Sequence, residues 1–329
     1  MVGSDSSGSV QIFNRRAVRH HRDRAAAHLS EHDFLLREVA DRLADRLADI
    51  NRTFGCAVEL GARAGILRDA LSAGGKITTL IETGLSATHG RENRLAVVAD
   101  EEFQPFGANS VDLVLNNLSL HWTNDLPGAL IQIRRALKPD GLFLAAMLGG
   151  NTLLELRHAL IDAETAVTGG VSPRISPFAD LGDAAGLLLR AGFALPVADI
   201  DTINVTYTDA FALMRDLRGM GETNAVAART TGFTRRTVLF DAAARYAASY
   251  GGADGRIPAR FQVLYLAGWA PHESQQKPLQ PGSATTRLAE ALGTDERSAG
   301  EKTRPHEELG RSGDGGDRPG RARFPFLRH

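Results

Sequence analysis

The feature that most constrains this chain is an alternation between residues 57 and 148. Short apolar or β-branched runs are separated there by stretches of helical period. Ala57-Val-Glu-Leu60, Lys76 to Ile81, Leu95 to Ala99, Val111-Asp-Leu-Val-Leu115 and Leu142 to Leu148 read as strands. Ile66 to Ser72 and Asp125 to Leu137 read as helices, and Pro139-Asp-Gly141 as a turn. Strands that alternate with helices build βαβ units, which give a parallel sheet with helices on both faces. Leu142 to Leu148 is apolar without alternation, as a strand buried on both faces must be. Beyond Gly150 the period continues, with helices expected at 152–168, 180–191, 209–218 and 234–250. Strands are expected at 196–207 and 260–269, a pair suited to an antiparallel finish.

The flanks differ. Residues 12–50 are charged and helical, and Phe34, Leu35, Val39, Leu43 and Leu47 recur every three or four positions, so one face is buried. Arg15, Arg16, Arg19, His20, His21, Arg22 and Arg24 form a basic cluster, read as a solvated helix face rather than a docking site. Residues 1–11 read as a loose leader. After Pro271 hydrophobic periodicity is lost to Gly, Pro, Ser and mixed charge. The division expected is therefore a leader and helical segment at 1–50, a sheet domain at 51–271 and a disordered tail at 272–329. The 38 basic and 39 acidic residues leave a net charge of −1, which gives no footing for nucleic acid. No apolar run approaches the roughly 20 residues that span a bilayer. The leader has no apolar signal core, so a cytoplasmic location is expected. The single cysteine, Cys56, excludes an internal disulfide framework and a cysteine-ligated metal cluster.

Candidate site residues gather at the ends of the strands. Val58-Glu-Leu-Gly61-Ala-Arg63-Ala-Gly65 follows the first strand and opens a helix. Glycine there lets a ligand approach the backbone, and the helix start offers free N–H groups. Glu59 at the strand end suits an ammonium group. This stretch resembles the E-x-G-x-G-x-G motif of class I S-adenosylmethionine-binding methyltransferases, with Arg63 where the middle glycine belongs. In that superfamily an acid near the end of the second strand binds both ribose hydroxyls. Gly84 holds the aligned position, and Glu82 precedes it. After the third strand, Asp100 suits the adenine amino group, with Glu101 beside it. Phe103 and Phe106 either wall that pocket or pack the core. Asn117 ends the fourth strand, beside where the methyl group would lie. His121 and Trp122 follow at the same edge. His121 suits a general base or substrate-orienting role, or a capping one. Trp122 suits an anchor under the next helix, and Asp125 a cap on it.

Several stretches together carry a more specific resemblance. They are Ala99-Asp-Glu-Glu-Phe103, Leu118-Ser-Leu-His-Trp-Thr-Asn-Asp-Leu-Pro127, Leu137-Lys-Pro-Asp-Gly141 and Met147 to Arg157. Ser172 to Phe178, Arg218 to Asn224 and Gly268 to Gln275 follow in order. They resemble assembly factor 5 of respiratory complex I and its alphaproteobacterial counterparts, over roughly residues 12–290. The resemblance implies a class I methyltransferase (Rossmann-like) fold: a mostly parallel seven-stranded sheet with helices on both faces and an N-terminal helical extension. It implies S-adenosyl-L-methionine as cofactor and a complex I subunit as protein partner, modified by arginine hydroxylation. It also implies a place at the inner membrane face, cytoplasmic in a bacterium or on the matrix side of a mitochondrion. The Ser172–Phe178 loop and Met220–Asn224 would border the substrate groove.

Two departures bear on the cofactor. Arg63 would crowd the methionine end or claim its carboxylate, and Gly84 lacks the forked acceptor, a loss on the order of 2–4 kcal/mol. Weakened cofactor binding is expected. His21-Arg-Asp23 has the H-x-D spacing of a non-haem iron site, but it sits in a charged helix, and no metal is assigned. Three readings stay open: the arginine-modifying assembly factor, an O-methyltransferase such as the malonyl-acyl-carrier-protein enzyme of biotin synthesis, and a non-catalytic chaperone on a degenerate fold.

Overall fold

A computed structural model describes residues 11–86, 95–276, 283 and 286–294 of the chain. Its centre is a seven-stranded sheet. The strands are β1 (Phe54–Leu60), β2 (Ile77–Gly84), β3 (Leu95–Val98), β4 (Val111–Asn117), β5 (Leu137–Leu148), β6 (Ala194–Tyr207) and β7 (Ile257–Trp269). Their order is β3-β2-β1-β4-β5-β7-β6. The first five run parallel, and β7 and β6 close the sheet antiparallel. The order reverses between β1 and β4, and the ends of these two strands frame the crevice where open α/β sheets take ligands.

The strands form where β-branched and apolar residues dominate, but their bounds shift. β1 begins at Phe54, whose buried ring outweighs the neighbouring Gly55. The Pro139–Gly141 turn lies inside β5 as an irregularity, where the register moves from Val111↔Leu137 to Leu113↔Leu142. Asp140 there takes φ 62°.

Helices cover both faces. On one face lie α2 (Phe34–Ala48), α3 (Ile66–Leu71), α5 (Leu154–Thr168), α7 (Ala210–Gly219) and α8 (Arg236–Tyr250). On the other lie α4 (Leu126–Ala136) and α6 (Leu181–Arg190). In α2, Leu35, Leu36, Val39, Ala40, Leu43 and Leu47 are buried, the stripe its spacing demands. Asp125 caps α4 by accepting from the Gly128 N–H, with Pro127 in the first turn.

α1 (Arg15–Ala25) crosses the carboxyl edge of the sheet, and a third apolar cluster pins it there. The ring of Phe13 meets Trp122 edge-on at 5.4 Å, and Phe13 pairs with Val226. Trp122 thus anchors the N-terminal segment, where the sequence pointed to the helix that follows it. The chain divides into two units, Met1–Gln275 and Gln276–His329. Within the second, a short helix, α9, spans Leu288–Leu292. The expectation of a loose leader at residues 1–10, and that of a disordered tail at 277–282, 284–285 and 295–329, lie outside the described residues.

Candidate functional site

Gly61 ends β1 in the left-handed region, at φ 70°. A Cβ there would collide with Ser119 and lie 2.7 Å from a Glu101 carboxylate oxygen. The close approach has a cause. Leu118 also turns left-handed, at φ 53°, which folds Ser119 to Trp122 back over the Gly61 turn. Asn116 holds that fold by donating to the Leu60 carbonyl at 2.8 Å and to Ser119 Oγ. Gly65, at φ 77°, precedes α3.

Charge fills the space above this turn. Glu101 is 1% exposed and accepts from Arg15 and, at 3.1 Å, from Arg22. Arg15 also reaches both oxygens of Asp100, at 2.5 and 3.2 Å. The basic cluster is therefore not simply a solvated face. Helical period turns Arg15 and Arg22 inward to these acids and leaves Arg16, Arg19 and His20 in solvent. Burial would raise the Glu101 carboxyl, but Arg22 and Arg15 outweigh it and hold it at about 2.

Arg63 is 2% exposed and does not point at the end of the turn. It donates to the Met220 carbonyl and, at 3.2 Å, to Glu222. Burial, then the charge of Arg22, brings its guanidinium down to about 10. Glu222 is the junction of the site. It accepts from the indole N–H of Trp122 at 2.8 Å and pairs with His121 Nε2 at 3.1 Å. Burial would raise its carboxyl, but His121 and Arg63 hold it at about 2. The Nδ1 of His121 is buried and has no hydrogen-bond partner among the described residues.

The remaining expected residues sit apart from this junction. Glu59 and Glu82 are register partners on β1 and β2, both buried. Glu82 accepts from Arg68 at 2.8 Å, so its carboxylate is engaged below the strand end. Gly84 accepts from the Ala99 N–H through its carbonyl. Asn117 is buried and donates to the Leu36 carbonyl at 2.9 Å. Phe106 is half-buried against the core, whereas Phe103 is 76% exposed and packs into neither. A cavity of about 300 Å³ opens here, between Arg15, Arg16 and Arg19 on one side and Leu85, Val98, Ala99 and Asp100 on the other. Among the described residues no three His, Cys, Asp or Glu side chains come together as a metal site. His21 instead pairs with the Thr223 carbonyl at 3.0 Å, and Asp23 accepts from Ser86 at 2.5 Å.

A second cavity, of about 600 Å³, lies on the other side of Trp122 and Glu222. Apolar side chains of α5, α7 and α8 form its wall, Leu156, Leu160, Met214 and Leu239 among them. Arg174, Ile175, Ser176 and Phe178 line it from the loop before α6, and Glu222, Thr223 and Asn224 from the loop after α7. The two segments expected beside a groove thus meet at one cavity. Their joining is direct, since Asn224 donates to the Pro173 carbonyl at 2.7 Å. Sequence reasoning named the 220–224 segment but not the role of Glu222. Its partners lie 159 and 101 positions away, beyond any local signal.

Comparisons with known proteins agree with the fold. Residues 58–145 match the profile of a methyltransferase domain. The chain is 44% identical over 293 residues to "Arginine-hydroxylase NDUFAF5, mitochondrial" of Danio rerio, covering 87% of this chain and 91% of that one. It is 34% identical over 280 residues to a malonyl-[acyl-carrier protein] O-methyltransferase of a Methylovorus species, covering 80% and 92%. The YcgJ protein of Bacillus subtilis shares the fold, with a TM-score of 0.50 and 15% identity over 71% of this chain and 98% of that one.

Proposed function

The chain belongs to the family of arginine hydroxylases that carry a methyltransferase domain, and from that premise we propose that it hydroxylates an arginine of a respiratory complex I subunit during assembly of that complex. One observation carries the reading. Glu222 stands between the strand-end turn, through Arg63, and the 600 Å³ cavity, whose wall it shares with Trp122. An apolar pocket with a few convergent polar groups is the usual form of a substrate site. A carboxylate in its lining suits a guanidinium.

We further propose S-adenosyl-L-methionine as the cofactor. Its adenosine would lie in the 300 Å³ cavity beside Asp100, and its methionine end would reach the turn from Glu59 through Gly61 to Gly65 only by displacing Glu101 and Ser119, which crowd Gly61. When bound, it would supply an electrophilic methyl group, which adds no oxygen. The hydroxylation itself would take one atom of dioxygen, the other leaving as water, with two electrons from an external reductant. Binding is expected to be weak. Arg15 already uses both oxygens of Asp100, Arg68 engages Glu82, and Gly84 offers no carboxylate to the ribose. Arg63 adds no counter-charge for the cofactor carboxylate, because Glu222 takes its guanidinium. The protein works in the bacterial cytoplasm, or on the matrix side in a mitochondrion, against the inner membrane face. No helix of the described residues is long and apolar enough to cross a membrane.

The test is to delete the gene, follow assembly of NADH:quinone oxidoreductase, and weigh the arginine-bearing peptides of its subunits. The expected result is one peptide heavier by one oxygen only when the gene is present. A methyl group in its place, or biotin auxotrophy with intact complex I, would support the O-methyltransferase reading. Lost assembly with an unmodified subunit would support a chaperone.

A further inference from the structure

The larger cavity changes sign from its mouth inward. Arg215 and Arg218 line it and are exposed. Arg24 joins them, donating at 3.1 Å to the hydroxyl of Thr223, which also lines it. None of the three has an ion-pair partner among the described residues. Arg174, the other arginine of the lining, does, at 2.5 Å from Glu164. Burial, then the nearby charge of Arg218, lowers the Arg24 guanidinium, as expected for like charges held together without a counter-ion. Glu222, with a side chain only 10% exposed, lines the same cavity, its Oε1 accepting from Arg63 and its Oε2 meeting Trp122 and His121.

An isolated arginine approaching this mouth meets three like charges before it reaches a carboxylate. A segment that carries an acid beside the arginine meets the opposite sign at both levels. We propose that the cavity selects an arginine that has an acidic neighbour in an otherwise apolar segment. The acid docks on Arg24, Arg215 and Arg218 while the arginine extends toward Glu222. This rests on the arginine reading above and adds a sequence preference to it. Complementary charge of this kind sets partner choice more than raw affinity. Exposed charge pairs weaken with salt, so the preference should narrow at high ionic strength.

The test uses the full chain and short fluorescent peptides, with binding followed by anisotropy. One peptide carries a central arginine, apolar neighbours and one aspartate. A second has asparagine for the aspartate, and a third glutamine for the arginine. The aspartate peptide should bind about fivefold more tightly than the asparagine peptide. That difference should fall to about twofold or less in the Arg215→Gln, Arg218→Gln double variant, which keeps only Arg24 at the rim and whose two positions are exposed, leaving the core intact. Equal binding of the two peptides to the native chain would overturn the proposal. So would a preference that is undiminished in the double variant, or no binding of either peptide at millimolar concentration. The third peptide separates the two claims. If it binds like the first while the aspartate preference persists, the rim stands and the arginine reading falls.

Discussion

Two parts of one sheet edge meet at Glu222 and are built in opposite ways. Over the ends of β1 to β3, the chain's own charges pair with one another, with Arg15, Arg22 and Arg63 set against Asp100, Glu101 and Glu222. Beside α5, α7 and α8 an apolar cavity stays open, and the arginines at its mouth have no acidic partner among the described residues. Acids already matched by buried arginines act in folding, because removing one strands the other. Arginines left at an open mouth cost folding little and are available to a partner. Charge count alone would not distinguish them; burial and pairing do.

The largest expected effect breaks the filled half. Glu101→Gln leaves Arg22 and Arg15 without their shared carboxylate, and it should cost about 3–5 kcal/mol. A lowered denaturant midpoint would show it; an unchanged midpoint would mean that these pairs do not hold the edge together. Gly61→Ala comes next, on the order of 3 kcal/mol, since a left-handed backbone gains a Cβ that collides with buried Ser119.

Acid should act through the same groups. His21 is buried, and desolvation with the charge of Arg24 lowers its imidazole to about 4. A depressed folded value stabilises above the unfolded value and is lost on acidification. Stability should therefore begin to fall below about 6.5 and continue down to about 4. Glu101 and Glu222, held at about 2, add a second loss from about 4.5 downward. A titration of melting temperature checks this, and His21→Asn should remove the upper limb alone. The smallest effect lies in the open half. Arg215→Gln should change stability by less than about 0.5 kcal/mol, because Arg215 is exposed and has no ion-pair partner among the described residues.

Much of the fold was legible in sequence because local rules set it. The β-branched runs of β2 and β4, the apolar stripe of α2 and the Asp125 cap each depend on neighbours in the chain. The Gly61 turn was legible for the same reason: a glycine between a strand and a helix marks a close approach to the backbone. The site was legible only as parts. Arg15 and Arg22 looked like a solvated face because their acids lie 79 to 86 positions away. Phe103 looked like a wall residue by type, and the strand-end turn carries it outward. Glu82 looked available until α3 brought Arg68 across to it. Glu222 carried no local mark, since its meaning comes from three residues on other loops.

The central claim is that Glu222 ties the filled half to the open cavity and so holds a substrate arginine in place. The direct measurement is the fraction of hydroxylated arginine on the complex I subunit in a deletion strain carrying either the native gene or Glu222→Gln. Misplacing a reacting group by about an ångström costs roughly a hundredfold in rate. A loss of that order is expected per molecule of folded protein, scored against the amount of variant present, because Glu222→Gln also strands the buried Arg63 and lowers stability. Native modification levels with Glu222→Gln would contradict it.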